Sequence, residues 1–132
     1  MTVWGTLDPS ASFSLNGGAA EAFNQTGFVA AELRDHAMPH IALYKTPLLT
    51  KGPHNLTITV PDSVPATLYL DFFTVDVDSG TASGSIIVDD FDPGIAYSGD
   101  WFKAGAQYEY LYTTHGMRSN SRGDAAFSFL GE

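Results

Sequence analysis

Thr67-Leu68-Tyr69-Leu70-Asp71-Phe72-Phe73-Thr74-Val75 and Ile86-Ile87-Val88-Asp89-Asp90 flank Asp76-Val77-Asp78-Ser79-Gly80-Thr81-Ala82-Ser83-Gly84-Ser85 in the middle of the chain. The flanks read as strands because they are rich in β-branched and aromatic residues. The stretch between them is small, polar and rich in Gly and Ser, and it reads as a linker over 76–85. The ends of the chain look different. Thr2-Val3-Trp4-Gly5 opens directly in a strand pattern, and Ala125-Ala126-Phe127-Ser128-Phe129-Leu130 closes in one. A linker in the middle and bare strands at both ends suggest an order that has been rotated, with 86–132 as the natural first part and 1–75 as the natural last part. Met1 then reads as an added start codon.

Working outward, strand patterns recur at the short spacing of a β-sandwich. They cover 2–7, 11–15, 22–28, 41–49, 55–60, 67–75, 86–88, 94–97, 108–114 and 125–130. Asp8-Pro9, Asn16-Gly17-Gly18, Lys51-Gly52-Pro53-His54 and Pro61-Asp62-Ser63 punctuate them as turns. Asn16-Gly17 is the strongest hairpin signal, because a two-residue primed turn needs positive φ at both central residues. Tyr108, Tyr110 and Tyr112 alternate with Glu109 and Leu111, which would put three rings on one face of a strand. Only 29–38 could supply a turn of helix.

The 132 residues suit one domain, 1–132, and their 44% hydrophobic content can fill one core. Nine Phe, six Tyr, two Trp, 13 Gly and seven Pro favour strands and turns over helices. Fifteen Asp and Glu against six Lys and Arg give a formal charge of −9. Such a surface repels phosphate backbones and anionic lipid, which argues against nucleic acid and against membrane binding through basic contacts. No apolar run approaches the ~20 residues of a spanning helix. With no Cys there are no disulfides, thiolate metal sites or cysteine nucleophiles. Asn24-Gln25-Thr26 and Asn55-Leu56-Thr57 are glycosylation sequons. A secreted, extracellular module is the natural expectation.

Two phrases carry a family likeness. They are Val88-Asp89-Asp90-Phe91-Asp92-Pro93-Gly94-Ile95-Ala96-Tyr97-Ser98-Gly99-Asp100-Trp101 and Leu68-Tyr69-Leu70-Asp71-Phe72-Phe73-Thr74-Val75. The chain resembles the jelly-roll ectodomains of basidiomycete fungal secreted or membrane-anchored proteins, which open on the first phrase and close on the second. Tyr112-Thr113-Thr114-His115, 126–131, 2–6 and 12–18 resemble the segments between, so the likeness spans nearly the whole chain in circularly permuted order. A fragment of two tandem modules is the rival explanation. The resemblance implies an all-β, galactose-binding-domain-like jelly-roll β-sandwich that closes on itself as a monomer. A domain-swapped dimer is the alternative assembly.

In carbohydrate-binding modules of that type a structural calcium often joins acidic residues of the first strand to an aspartate on the last. The matching positions are Asp89, Asp90 and Asp71, with Asp92 nearby. Hard cations take several such oxygens, while aspartates at strand ends also accept backbone N–H bonds. Both readings stand at this stage. Sugar recognition uses rings that stack on C–H faces and polar groups that bind hydroxyls. Trp101 follows a turn and is the first ring candidate, although a Trp there also serves as a core plug. Tyr108, Tyr110 and Tyr112 would extend the platform, with His115, Arg118 and Asn120 as polar contacts. Trp4 reads as core.

His36, His40, His54 and His115 lack metal-motif spacing, and Pro39 interrupts any helix joining the first two. No G-x-S-x-G elbow occurs, and no carboxylate pair stands out as a glycosidase pair. Arg122-Gly123-Asp124 reads as an ordinary turn before a strand, ahead of its adhesion-motif reading. The expectation is therefore a non-catalytic carbohydrate-binding module whose partner is a glycan or wall polysaccharide. A structural or protein-adhesion spacer is the alternative.

Overall fold

Alternation of apolar and polar residues at period two lets a strand bury one face and wet the other. Eleven strands form on that principle in the computed structural model, which describes residues 1–7, 11–22, 41–60, 68–78, 83–118 and 121–131. They are β1 Thr2–Leu7, β2 Ser12–Leu15, β3 Glu21–Ala22, β4 Ile41–Lys45, β5 Gly52–Val60, β6 Leu68–Asp78, β7 Ser83–Asp89, β8 Ile95–Gly99, β9 Phe102–Ala104, β10 Thr114–Met117 and β11 Gly123–Gly131. One sheet has the order β4-β1-β6-β10-β9 with β7 also paired to β6, and the other has the order β3-β2-β5-β11-β8. Among the described residues every pairing is antiparallel. The chain is a two-sheet, all-β sandwich, as its strand spacing predicts.

The core is supplied by alternate residues of both sheets. Val3, Leu70, Phe73 and Met117 come from the first, and Phe13, Leu56, Ile58, Ala125 and Phe127 from the second. Phe73 and Phe127 meet across the gap with ring centroids 4.9 Å apart. Burying one such side chain contributes about 1.5–3 kcal/mol. Trp4 lies outside this core. It stacks on Phe72 at 5.8 Å and donates its indole N–H to Thr74 Oγ1 at 3.0 Å.

β6 carries a bulge. Trp4 pairs with Phe72 and the next residue, Gly5, pairs with Leu70, leaving Asp71 as the extra residue. The other edge of β6 changes partner at the same place. Leu70 pairs with His115 of β10, and Phe72 pairs with Asp89 of β7. Asp71 therefore stands where three strands meet, and its carbonyl accepts the Asp90 N–H at 3.0 Å.

Asn16 (φ 53) and Gly17 (φ 68) form the primed turn read from the sequence, closed by a 2.9 Å bond from the Gly18 N–H to the Leu15 carbonyl. Three other readings are corrected. Residues 76–78 pair with 85–83, so both ends of the expected linker belong to a ladder. Gly52, Pro53 and His54 are strand rather than turn. Pro53 is accommodated because β2 pairs only with Leu56–Thr59 and leaves that edge free of ladder bonds.

The third correction concerns 108–114, of which only Thr114, the first residue of β10, is strand. Tyr110–Tyr112 is a single 3-10 turn, with φ of 51 at Leu111 and 63 at Tyr112. Local bonds replace the ladder. The N–H groups of Glu109, Tyr112 and Thr113 donate to the carbonyls of Ala106, Glu109 and Tyr110. The Tyr110 N–H donates to Asp71 Oδ1 at 2.9 Å. The three tyrosines thus do not share a strand face. The segments 8–10, 23–40, 61–67, 79–82 and 119–120 and residue 132, with the Asp8-Pro9 and Pro61-Asp62-Ser63 turns, most of the strand expected over 22–28, the helix turn, His36, His40 and the Asn24 sequon, lie outside the described residues.

Candidate functional site

Two sites merit construction from their residues. The first grows from the bulge. Asp90 follows the last residue of β7 and is wholly buried. His115 on β10 is brought beside it because both strands abut β6 at neighbouring positions. His115 Nδ1 and Asp90 Oδ2 are 2.6 Å apart. The imidazole is sandwiched between Tyr97, stacked at 4.0 Å, and Phe91, tilted at 4.7 Å. Tyr97 donates its hydroxyl to the Asp90 carbonyl at 2.8 Å.

Burial pushes the Asp90 carboxyl up to about 7, and the charges of Asp89 and Asp71 push the same way. Burial also pulls His115 below 6.5, helped by the charge of Lys103, against the opposite pull of Asp89. The environment therefore favours the uncharged form of both groups, and the Asp90 carboxyl gives up its proton only as pH passes about 7. Among the described residues Asp90 Oδ1 has no hydrogen-bond partner, which a protonated carboxyl tolerates better than a carboxylate.

The other acidic residues have their own donors. Asp71 Oδ1 takes the Tyr110 N–H, Asp89 Oδ1 takes the Thr113 hydroxyl at 3.2 Å, and Asp89 Oδ2 takes the Phe91 N–H at 3.3 Å. Asp92 is exposed in a turn, where it accepts the Gly94 N–H at 2.7 Å. Among the described residues no group of three His, Asp or Glu side chains is placed to hold a metal ion. Asp71, Asp89 and Asp92 thus accept hydrogen bonds as strand-end and turn aspartates do.

The remaining sequence candidates are dispersed. Trp101 is half-buried against the core, edge-on to Tyr97 at 5.2 Å, with its N–H on the Asp124 carbonyl at 3.1 Å. Tyr108 and Tyr112 are exposed, whereas Tyr110 tilts over Phe72 at 5.4 Å. Arg118 lies over the Phe102 ring at 5.0 Å. Asn120 lies outside the described residues. Gly123 of Arg122-Gly123-Asp124 is buried and paired on both sides, with Val60 and with Gly99. Gly123 and Asp124 are therefore part of the sheet, and Arg122 stands just before it. Among the candidate side chains Trp101 and His115 share a neighbour, since both rings pack on Tyr97.

The second site was not legible from the sequence. A cleft of about 440 Å³ opens between the turn at Asn16 and the far ends of β5 and β11. Asn16, Pro53, His54, Asn55, Ser128, Phe129 and Leu130 line it, none of them acidic or basic apart from the imidazole. The β5–β11 register sets His54 opposite Phe129 and Asn55 opposite Ser128. The imidazole and the phenyl ring lie 5.7 Å apart, and Leu130 is exposed.

A hydrogen-bond chain fixes the polar groups. Asn16 Oδ1 accepts the Asn55 N–H at 3.0 Å, and Asn16 Nδ2 lies 3.0 Å from His54 Nδ1. His54 Nε2 is 2.7 Å from the Thr50 carbonyl, which assigns Nε2 as donor and Nδ1 as acceptor. Asn55 Nδ2 donates to Ser128 Oγ at 3.1 Å. Each amide keeps a second N–H, and Ser128 keeps its own O–H, for a ligand. Asn16-Gly17 was the one visible signal for this site. The long-range pairing of His54 with Phe129 left no mark in the sequence.

Comparison with protein families, curated proteins and solved structures gave no match for this chain. Among the described residues no helix is long and apolar enough to cross a membrane.

Proposed function

We propose that this chain is a non-catalytic, extracellular carbohydrate-binding module of jelly-roll type, with the Asn16–Phe129 cleft taking a neutral sugar. The cleft carries this reading. Its volume of about 440 Å³ lies within the ~300–1,000 Å³ typical of small-ligand sites. Its surface combines ring and aliphatic groups with fixed amide and hydroxyl donors, which suits the alternating C–H faces and hydroxyls of a pyranose. Without a carboxylate or a cationic side chain in the lining, an uncharged glycan is preferred to a sugar acid.

The test is a glycan and fungal-polysaccharide array on protein made in a bacterial host, which keeps the Asn55 sequon unmodified. Selective binding of neutral glycans is expected, weakened in Phe129→Leu at unchanged Tm. Binding that survives Phe129→Leu but is lost with Trp101 would move the site to the sequence-predicted rings. A specific observation favours a second reading, because Trp101 and His115 are packed inward as structural groups. A silent array with folded protein would establish the spacer role and end the glycan proposal.

A further inference from the structure

We infer that the β6–β7 hairpin is a docking edge for an extended, basic polypeptide segment, which joins the sheet as an added strand. The register of β1 on β6 ends at Thr2 opposite Thr74. β6 nevertheless continues from Val75 to Asp78, accompanied there only by Ser83–Ile86 of β7. Val75 is still buried in the core, and beyond it Asp76–Asp78 with Ser83–Ser85 project past the sheet as a two-stranded arm, a form of marginal stability by itself. Among the described residues the far edge of β7 has no strand partner.

Natural edges are guarded by Lys, by Pro or by short length. β7 has seven residues, Ser-Gly-Ser-Ile-Ile-Val-Asp, with none of these guards. Ile86 and Ile87 are 54% and 44% exposed. As neighbours on a strand they point to opposite faces, so an added strand would cover apolar surface on both sides. Its backbone would complete the row of N–H and C=O groups, as in other strand-addition complexes.

Charge selects the occupant. Asp76 is exposed on the arm, with the Ser85 hydroxyl on its Oδ1 at 2.7 Å, and the chain carries a formal −9. A second copy would bring the same negative field to the edge, whereas Lys or Arg side chains alternating with apolar ones meet complementary charge and both isoleucines. This inference is independent of the sugar cleft, which lies on the other sheet.

The experiment uses the full chain and a fluorescein-labelled octapeptide alternating Lys with Val. Octapeptides alternating Lys with Gly and Glu with Val serve as comparisons, with anisotropy read at low and high salt. The Lys/Val peptide is expected to bind, and backbone N-methylation at alternate residues to abolish binding. The paired substitution Ile86→Thr and Ile87→Thr keeps charge and strand propensity, and it should weaken binding about tenfold. An unchanged amide-exchange pattern in the sandwich would verify folding of this variant. Equal binding of the Lys/Gly peptide would reduce the effect to charge alone and overturn the proposal. So would absence of binding, or a concentration-dependent dimer that the paired substitution dissolves, which would give the edge to a second copy.

Discussion

Asp90→Asn should change how stability depends on pH. Native Asp90 keeps its proton until about pH 7, while the unfolded chain releases it near 3.8. Between those values the native state binds the extra proton, so stability falls as pH rises. The slope is about 1.4 kcal/mol per pH unit, or about 4 kcal/mol over the whole window. The contribution is fully present below 3.8 and lost as pH passes 7. His115 works in the opposite sense, since its native pKa lies below 6.5 and the unfolded chain gains the proton first on acidification. Urea unfolding of the wild type and of Asp90→Asn, repeated across this range, separates the two. The His115 contribution is shared to first approximation, so the wild-type advantage over the variant should shrink steadily with rising pH. An advantage that stays flat, or grows with pH, would refute the assignment of the proton to Asp90.

Trp101→Ala should lower stability by about 3 kcal/mol, the lower end for a large aromatic because the ring is only half-buried. Thermal melting would measure that loss, and a nearly unchanged Tm would show that the ring contributes little to packing. Saturating calcium is expected to leave Tm where chelator leaves it, because a ligand bound only by the native state must raise Tm. A calcium-dependent rise would replace hydrogen-bonded aspartates with a cation shell. Gly123→Ala would set a Cβ 2.6 Å from the Ser98 carbonyl oxygen and 2.7 Å from Trp101 Nε1. It should cost about 1–3 kcal/mol in denaturant unfolding.

The strands of this sandwich were largely visible because burial on one face writes a period of two into the sequence. Asn16-Gly17 was legible for a further reason, since its backbone angles restrict which residues can stand there. The failures have physical causes as well. Tyr108 to Tyr112 alternates like a strand, yet Asp71 and successive turn bonds satisfy that backbone without a partner strand. Asp76 to Ser85 looks like linker because its residues are mostly small and polar, although the backbone ladder of 76–78 with 83–85 does not depend on those side chains. The hydrogen bonds of the aspartates were legible only in part, because Phe91 and Gly94 are sequence neighbours while Thr113 and Tyr110 reach Asp89 and Asp71 only through the fold. The cleft was invisible because it is created by register between residues 73 or more positions apart, such as Asn55 and Ser128.

The extra residue at Asp71 sets the parity of β6. Before it the inward positions are Leu68 and Leu70, and after it they are Phe73 and Val75. Deleting Asp71 would leave Leu70 opposite Gly5 and Phe72 opposite Trp4, so Phe72 would stay outward and Phe73 inward, and what would be lost is the kink and the groups that hold Asp90 and Tyr110. A residue added or removed elsewhere in β6 would instead turn Phe73 and Val75 to water. Length changes along this strand should therefore be tolerated at Asp71 and nowhere else, and sequence comparison must hold a one-residue offset there to keep inward positions aligned.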